Sequence, residues 1–249
     1  MNVAIIGSGG REHAICASLK KSKRVKKIYC LPGNAGTSKI STNIEIDINN
    51  FDAIKDLVLK KNIDLLIVGP EKPLVEGIVD FLQNTNVKIF GPNRAASQLE
   101  GSKIFTKKLC QKYNIPTANF GIFKNSEESK KFLETSSYPI VIKADGLASG
   151  KGVYINENKN DAFKAIDEIF AGKFGGAENV LVEEFLSGEE MSYFIVTDGK
   201  NIKSFNTAQD HKRVLEGDRG KNTGGMGAYS PSRLINEELE KKIIDRILK

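Results

Sequence analysis

No stretch of this 249-residue sequence approaches the roughly 20 consecutive apolar residues a helix needs to cross a bilayer, which argues against a helical membrane span. The first residues, Met1-Asn2-Val3-Ala4-Ile5-Ile6-Gly7, lack a basic leading region and reach a glycine loop too soon for a secretory signal, so a cytoplasmic location is expected. Cysteine is scarce. Cys16, Cys30 and Cys110 stand far apart in apolar contexts, with no C-x-x-C spacing and no histidine beside them, a pattern of buried reduced thiols rather than a disulfide framework or a metal site. The two histidines, His13 and His211, lie on different loops, and no Ser/His/Asp or Cys/His arrangement points to a protein nucleophile. There is no internal repeat, no low-complexity tract and no cluster read as a metal site.

What is present is the composition of a soluble globular chain, with 40% apolar residues, 27% charged residues and 13 phenylalanines. The length sets a prior of one to two domains. The net charge of +6 rests largely on lysines in pairs along helical patterns, such as Lys20-Lys21, Lys60-Lys61 and Lys130-Lys131. Without interleaved aromatics these read as a solvated face, so neither nucleic acid nor membrane is expected as a partner, whereas an anionic small substrate is.

The first hundred residues alternate β-branched runs with helical patterns. Strands are expected at Val3–Ile6, Lys27–Leu31, Asp64–Val68 and Val87–Phe90, and helices near Glu12–Lys21, Phe51–Lys61 and Leu74–Gln83. Alternation at this period predicts βαβ units on a parallel sheet. A helix over Gly101–Asn114 follows and stops at Ile115-Pro116. The next stretch predicts a compact α+β lobe: strands at Phe120–Phe123, Pro139–Lys143, Gly152–Ile155 and Asn179–Phe185, and helices at Ser126–Thr135 and Asn160–Phe170. Strands Ser192–Val196 and Ile202–Asn206, a glycine-rich stretch and a helix over Asn236–Lys249 complete the chain.

Two glycine loops carry most of the chemical information. Gly7-Ser8-Gly9-Gly10-Arg11-Glu12 joins a strand to a helix, but Glu12 replaces the third glycine of a dinucleotide fingerprint, and no acid ends the second strand. A tight turn and an anion cradle both remain open for this loop. In the second loop, Ile140-Val141-Ile142-Lys143 ends an apolar strand in a lysine and runs into Ala144-Asp145-Gly146-Leu147-Ala148-Ser149-Gly150-Lys151-Gly152. The P-loop spacing is not met. A strand-end lysine beside a glycine loop still predicts a phosphate clamp, because a lysine there costs free energy unless an anion meets it.

The order of Gly101-Ser102-Lys103-x-x-Thr106-Lys107, then the 141–153 stretch, then Glu183-Glu184-Phe185-Leu186-x-Gly188-Glu189-Glu190 resembles an ATP-grasp ligase. Further motifs narrow the resemblance: Gly9-Gly10-Arg11-Glu12-His13, Pro32-Gly33-Asn34-Ala35-Gly36-Thr37, Gly69-Pro70-Glu71, Gln209-Asp210-His211-Lys212-Arg213 and Asn222-Thr223-Gly224-Gly225-Met226-Gly227. Together they are similar to the phosphoribosylamine–glycine ligase family of purine biosynthesis, over the whole chain.

The resemblance implies an α/β chain. A Rossmann-like parallel-sheet domain over 1–100 (the pre-ATP-grasp domain) is followed by a linker helix over 101–118, a small ATP-grasp lobe over 119–191, and the start of an incomplete large lobe over 192–249. It implies ATP as cofactor, with Mg2+ or Mn2+ held by a Glu and an Asn expected beyond Lys249, in a chain that looks truncated relative to the family. It implies glycine and 5-phosphoribosylamine as substrates, joined through a glycyl phosphate, and a monomer. Lys103 and Lys143 would meet the ATP phosphates beneath the loop that contains Gly150 and Gly152, and Lys143→Ala is expected to weaken ATP binding more than Lys151→Ala, because a strand-end lysine is fixed and a loop lysine mobile. Glu183 would approach the adenine amino group, Glu184 and Leu186 would offer backbone contacts to the base, and Glu190 would hold the ribose. Asn34–Thr37 and Glu71 would face the phosphoribosyl group. Asp210 would meet the glycine amine, with Lys212 and Arg213 near phosphate; Lys143, Asp210 and Arg213 form the expected catalytic set. An ATP-grasp ligase for another acid, a nucleotide-binding module without turnover, and an NAD-dependent oxidoreductase resting on Gly7–Gly10 alone stand as alternatives.

Overall fold

The run Val3-Ala4-Ile5-Ile6 is fully buried, and its alternating side chains enter two different cores. In the computed structural model, which describes residues 1–147, 152–175, 178–217 and 219–249 (backbone alone at 221 and 222), this run is the heart of strand β1 (Asn2–Gly7). Val3 and Ile5 pack with Cys16 of helix α1 (Gly10–Lys20), while Ala4 and Ile6 pack with Ile54 and Val58 of α2 (Phe51–Lys60). A strand apolar on both sides belongs in the middle of a parallel sheet covered on both faces.

Around it lie β2 (Lys27–Pro32), β3 (Thr42–Asn43), β4 (Leu65–Val68) and β5 (Lys88–Phe90), all parallel, in the order β3-β2-β1-β4-β5. The order reverses at β1, so the crevice between the carboxyl ends of β1 and β4 is where such sheets bind ligands. The expected single helix over 74–83 is two short ones, α3 (Glu71–Glu76) and α4 (Ile78–Leu82). They are separated by Gly77, whose φ of +96° only glycine adopts readily. Neither α5 (Arg94–Gly101) nor the short edge strand β3 was expected. The helix expected from Gly101 begins later, as α6 (Lys103–Tyr113), because Ser102 caps it and accepts from Phe105 N at 3.1 Å.

A second, antiparallel sheet is built from β6 (Phe120–Phe123), β7 (Ile140–Ala144), β8 (Val153–Asn156) and β9 (Val180–Glu184), in the order β6-β9-β7-β8. Ile140, Ile142 and Ala144 of β7, with Val180 and Val182 of β9, bury one face against α7 (Ser126–Glu134) and α8 (Lys159–Phe170). The period of two sends Val141, Lys143, Leu181 and Glu183 to the opposite face, toward α6. Together with the parallel-sheet domain, this is the ATP-grasp type of arrangement expected for the chain.

Beyond β9 the pairing is short. β10 (Ile195–Thr197) pairs with β11 (Ile202–Ser204), β12 (Gln209–Asp210) and β13 (Arg213–Leu215) follow, β14 (Arg219–Asn222) pairs with β13, and β15 (Ala228–Tyr229) pairs with β12. The last helix, α9 (Glu237–Ile243), widens into a π turn over Ile244–Leu248 instead of continuing as one α-helix. Among the described residues no helix is long and apolar enough to cross a membrane. Cys16 and Cys30 are buried free thiols, as expected, and burial pushes Cys16 up to about 12; Cys110 is only half-buried.

Candidate functional site

The crevice at the head of the parallel sheet already contains an anion. Glu12, in the first turn of α1 and 2% exposed, folds its carboxylate back over the ends of β1 and β4. Oε2 accepts from Gly9 N at 2.7 Å and Oε1 from Arg11 Nε at 2.8 Å. The side chain fits only because Gly7 and Gly69 have no Cβ: one added at Gly7 would stand 2.6 Å from Glu12 Cδ, and one at Gly69 would overlap Oε1. These contacts support the tight-turn reading of the first loop, and a cavity of about 430 Å3 lined by Gly7, Ser8, Gly9 and Arg11 stands beside it. A dinucleotide pyrophosphate brought to Gly7–Gly10 would meet a buried carboxylate, which removes the basis of the oxidoreductase reading. His13 lies in the first turn of α1, not on a loop as expected.

The neighbouring motif is also occupied by its own side chains. Asn34 Oδ1 accepts from Gly36 N at 2.7 Å and Thr37 N at 2.9 Å, its Nδ2 donates to Ser8 O at 2.8 Å, and Thr37 is fully buried. These contacts make Asn34–Thr37 a self-bonded turn that braces the first loop.

Charged side chains of both signs line a cleft of about 410 Å3 between α6, the lysine-bearing face of the second sheet, and Glu71 at the start of α3. Lys103, Lys107 and Lys143 line it together with Glu71, Glu100 and Glu183. Lys143 Nζ donates to Glu183 Oε2 at 2.9 Å; the register pairs Val141 with Glu183 and Lys143 with Leu181, so the two are diagonal neighbours on one face. Glu183 is 5% exposed, and its Oε1 lies 3.4 Å from Lys107 Nζ without a directed hydrogen bond. Lys103 Nζ donates to Gly146 O at 2.7 Å, and burial, with the Lys143 charge as a smaller cause, draws its pKa down although Asp145 opposes the shift.

The N-terminus of α6 holds the root of the second loop. Asp145 accepts from Ser102 Oγ at 3.0 Å and from Ile104 N at 3.2 Å, so Ser102 and Asp145 together serve the helix end while Lys103 grips the next carbonyl. Gly152 is buried and its carbonyl accepts from Ala144 N at 2.9 Å; Gly150 and Lys151 lie outside the described residues.

The remaining expected residues stand apart from this cleft lining. Glu184 turns to Asn119, accepting from its backbone N at 2.9 Å and its Nδ2 at 3.0 Å, and these bonds hold its carboxyl below the usual range. Leu186 is 64% exposed. Glu190 pairs with Lys212, which raises the lysine's pKa, and Lys212 also lies 3.8 Å from Asp210. Arg213 Nη1 donates to Gly220 O at 2.8 Å. Glu183, expected to face a base, has its carboxylate engaged by two ammonium groups. Lys107, which received no role from the sequence, is one of those two partners.

A parallel-sheet domain followed by a lysine-bearing cleft between one helix and an antiparallel sheet is the arrangement of an ATP-grasp protein. Family models agree and go further: the N domain of phosphoribosylglycinamide synthetase matches residues 1–100, and its ATP-grasp (A) domain matches residues 101–249. The chain therefore belongs to the phosphoribosylglycinamide synthetase family. It is 48% identical to the phosphoribosylamine–glycine ligase of Mesorhizobium japonicum and 46% identical to that of Brucella melitensis, in each case over 100% of this chain and 59% and 58% of the relative. The crystal structure of the Thermotoga maritima phosphoribosylamine–glycine ligase superposes with a TM-score of 0.82 at 34% identity, over 98% of this chain and 59% of that one. The chain thus spans about 59% of the length of the curated relatives it matches.

Proposed function

We propose that this chain supplies the nucleotide cleft of a ligase that joins glycine to 5-phosphoribosylamine, converting ATP to ADP and phosphate and yielding glycinamide ribonucleotide. The observation that carries the reading is the convergence of Lys103, Lys107 and Lys143 on one cleft, with Glu183 between Lys107 and Lys143, in a chain of this family. Phosphoryl transfer from ATP to a carboxylate brings anions together, so fixed positive charge and positioning supply the catalysis and no protein nucleophile is needed. A glycine carboxylate oxygen attacks the γ-phosphorus and ADP departs. The amine of phosphoribosylamine then attacks the carbonyl carbon of glycyl phosphate, phosphate leaves and the amine loses a proton.

In this reading Lys143 and Lys103 meet the polyphosphate, and Lys103 exchanges the Gly146 carbonyl for a phosphate oxygen. Gly150 and Gly152 belong to the covering loop. Glu183, Glu184 and Leu186 border the base, Glu190 the ribose, and Glu71, on the cleft rim, the second substrate. Asp210 and Arg213 are assigned to glycine and the acyl phosphate. The 1–100, 101–118, 119–191 and 192–249 divisions serve as substrate domain, connecting helix, small lobe and start of the large lobe of a cytoplasmic, monomeric enzyme. Family chemistry uses ATP with Mg2+ or Mn2+. Among the described residues no group of three or more His, Cys, Asp or Glu side chains could hold a metal ion.

Calorimetric titration of the chain with ATP tests the cleft, and saturable binding abolished by Lys143→Ala is expected. Release of ADP that requires both glycine and phosphoribosylamine, assayed on a protein of the relatives' full length, tests the reaction; turnover with a different acid instead would replace the substrate assignment.

A further inference from the structure

Lys107 is the most deeply buried cation of the cleft, 8% exposed, and a buried ammonium is costly unless its surroundings compensate it. Here the compensation is unusually fixed. Nζ donates to Thr117 Oγ1 at 2.6 Å and Ala118 O at 3.3 Å, both in the extended segment between α6 and β6. The same Nζ lies 5.4 Å from the centroid of the Phe120 ring. What remains of its charge faces Glu183 Oε1, at 3.4 Å.

That oxygen is buried and receives no hydrogen bond, whereas Oε2 is bonded by Lys143. One carboxylate therefore lies between two ammonium groups with different roles. Lys143, with 27% of its side chain exposed, reaches the cleft; Lys107, with 11%, is locked against the chain. If Lys107 were absent, the whole charge of Glu183 would fall on Lys143 and cancel its attraction for an anion in the cleft.

Resting on the reading of this cleft as an ATP site, we propose that Lys107 is a positioning residue for the nucleotide polyphosphate: its fixed ammonium holds Glu183 and shares its negative charge, leaving Lys143 net positive charge for phosphate. Lys107 itself touches neither phosphate nor base.

The test compares the unaltered chain with Lys107→Met and Lys107→Arg by calorimetric titration with ATP, ADP and adenosine, with thermal unfolding as a check on folding. Lys107→Met is expected to weaken ATP and ADP by about tenfold, the scale of one lost charge near the cleft, and adenosine, whose base Glu183 borders, by clearly less. Lys107→Arg should restore most of the loss. Equal ATP affinity in Lys107→Met and the unaltered chain overturns the proposal and leaves the nucleotide reading standing. A parallel loss of adenosine affinity, or no rescue by arginine, reduces Lys107 to a structural lysine and also overturns it. If Lys107→Met fails to fold, Thr117→Val, which removes the anchoring hydroxyl but keeps the charge, serves instead: a smaller loss confined to the phosphorylated ligands supports the proposal, and unchanged ATP affinity overturns it. No ATP binding by the unaltered chain overturns the nucleotide reading and the proposal with it.

Discussion

The two glycine loops of this chain look alike on paper and end in different electrostatic settings. The first, after β1, closes over a carboxylate that the protein itself supplies, since Glu12 bonds the backbone of Gly9 and fills the space left by Gly7 and Gly69. The second, after β7, is rooted among Lys103, Lys107 and Lys143 with Glu183 as a shared counter-ion. A glycine-rich turn at a strand end is thus permission for an anion, and the neighbouring charges decide whether the anion is a side chain or a ligand.

The largest expected effect breaks the first loop. Gly69→Ala places a Cβ onto Glu12 Oε1 and 2.8 Å from the Ile6 carbonyl oxygen, and should cost about 3 kcal/mol in denaturant unfolding. Glu12→Ala should cost about 2 kcal/mol, because it strips a buried charged acceptor from Gly9 N and Arg11, and the loss from Gly69→Ala should shrink in that background. Additive losses would mean that Glu12 is not what the missing Cβ atoms accommodate.

Effects at the second loop are smaller in stability. Ser102→Ala removes a helix cap and one bond to Asp145, with an expected cost of about 1 kcal/mol in thermal unfolding. The pH dependence of ATP binding sharpens the contrast further. Burial lowers the Lys103 pKa from its ordinary 10.5, so the folded chain binds fewer protons there than the unfolded chain and loses the ammonium earlier as pH rises. Phosphate favours the charged form. Binding should therefore take up a proton, and ATP affinity should fall as pH climbs toward 10.5. Titrations in buffers of different ionisation enthalpy would detect the uptake, and Lys103→Arg should abolish it. The gentlest probe is thiol labelling of the native chain at neutral pH: half-buried Cys110, on α6, should react first, while Cys16 and Cys30 stay protected beside β1. Simultaneous labelling of all three would show that the first domain opens as readily as the second.

Most strands of both sheets were legible because they are buried on one or both faces, and continuous apolar runs such as Val3–Ile6 and Ile140–Ile142 are what such strands require. The short pairs β12 with β15 and β13 with β14 were not, since two to four mostly polar residues carry no periodicity. The break at Gly77 had a visible signal in an isolated glycine within a helical pattern, and the later start of α6 had one in Ser102. The role of Lys107 had none. It depends on α6 crossing the sheet so that a lysine meets an acid 76 positions away in sequence.

By itself, then, the order of motifs determined the family, the parallel sheet and the cationic chemistry of the second half, because these follow from residue type and spacing along one chain. Only the tertiary structure decided that Glu12 occupies the first crevice and that Glu183 is shared between Lys107 and Lys143. The energy of a charge is set by its burial and by its distance from other charges, and both come into being only when distant segments pack.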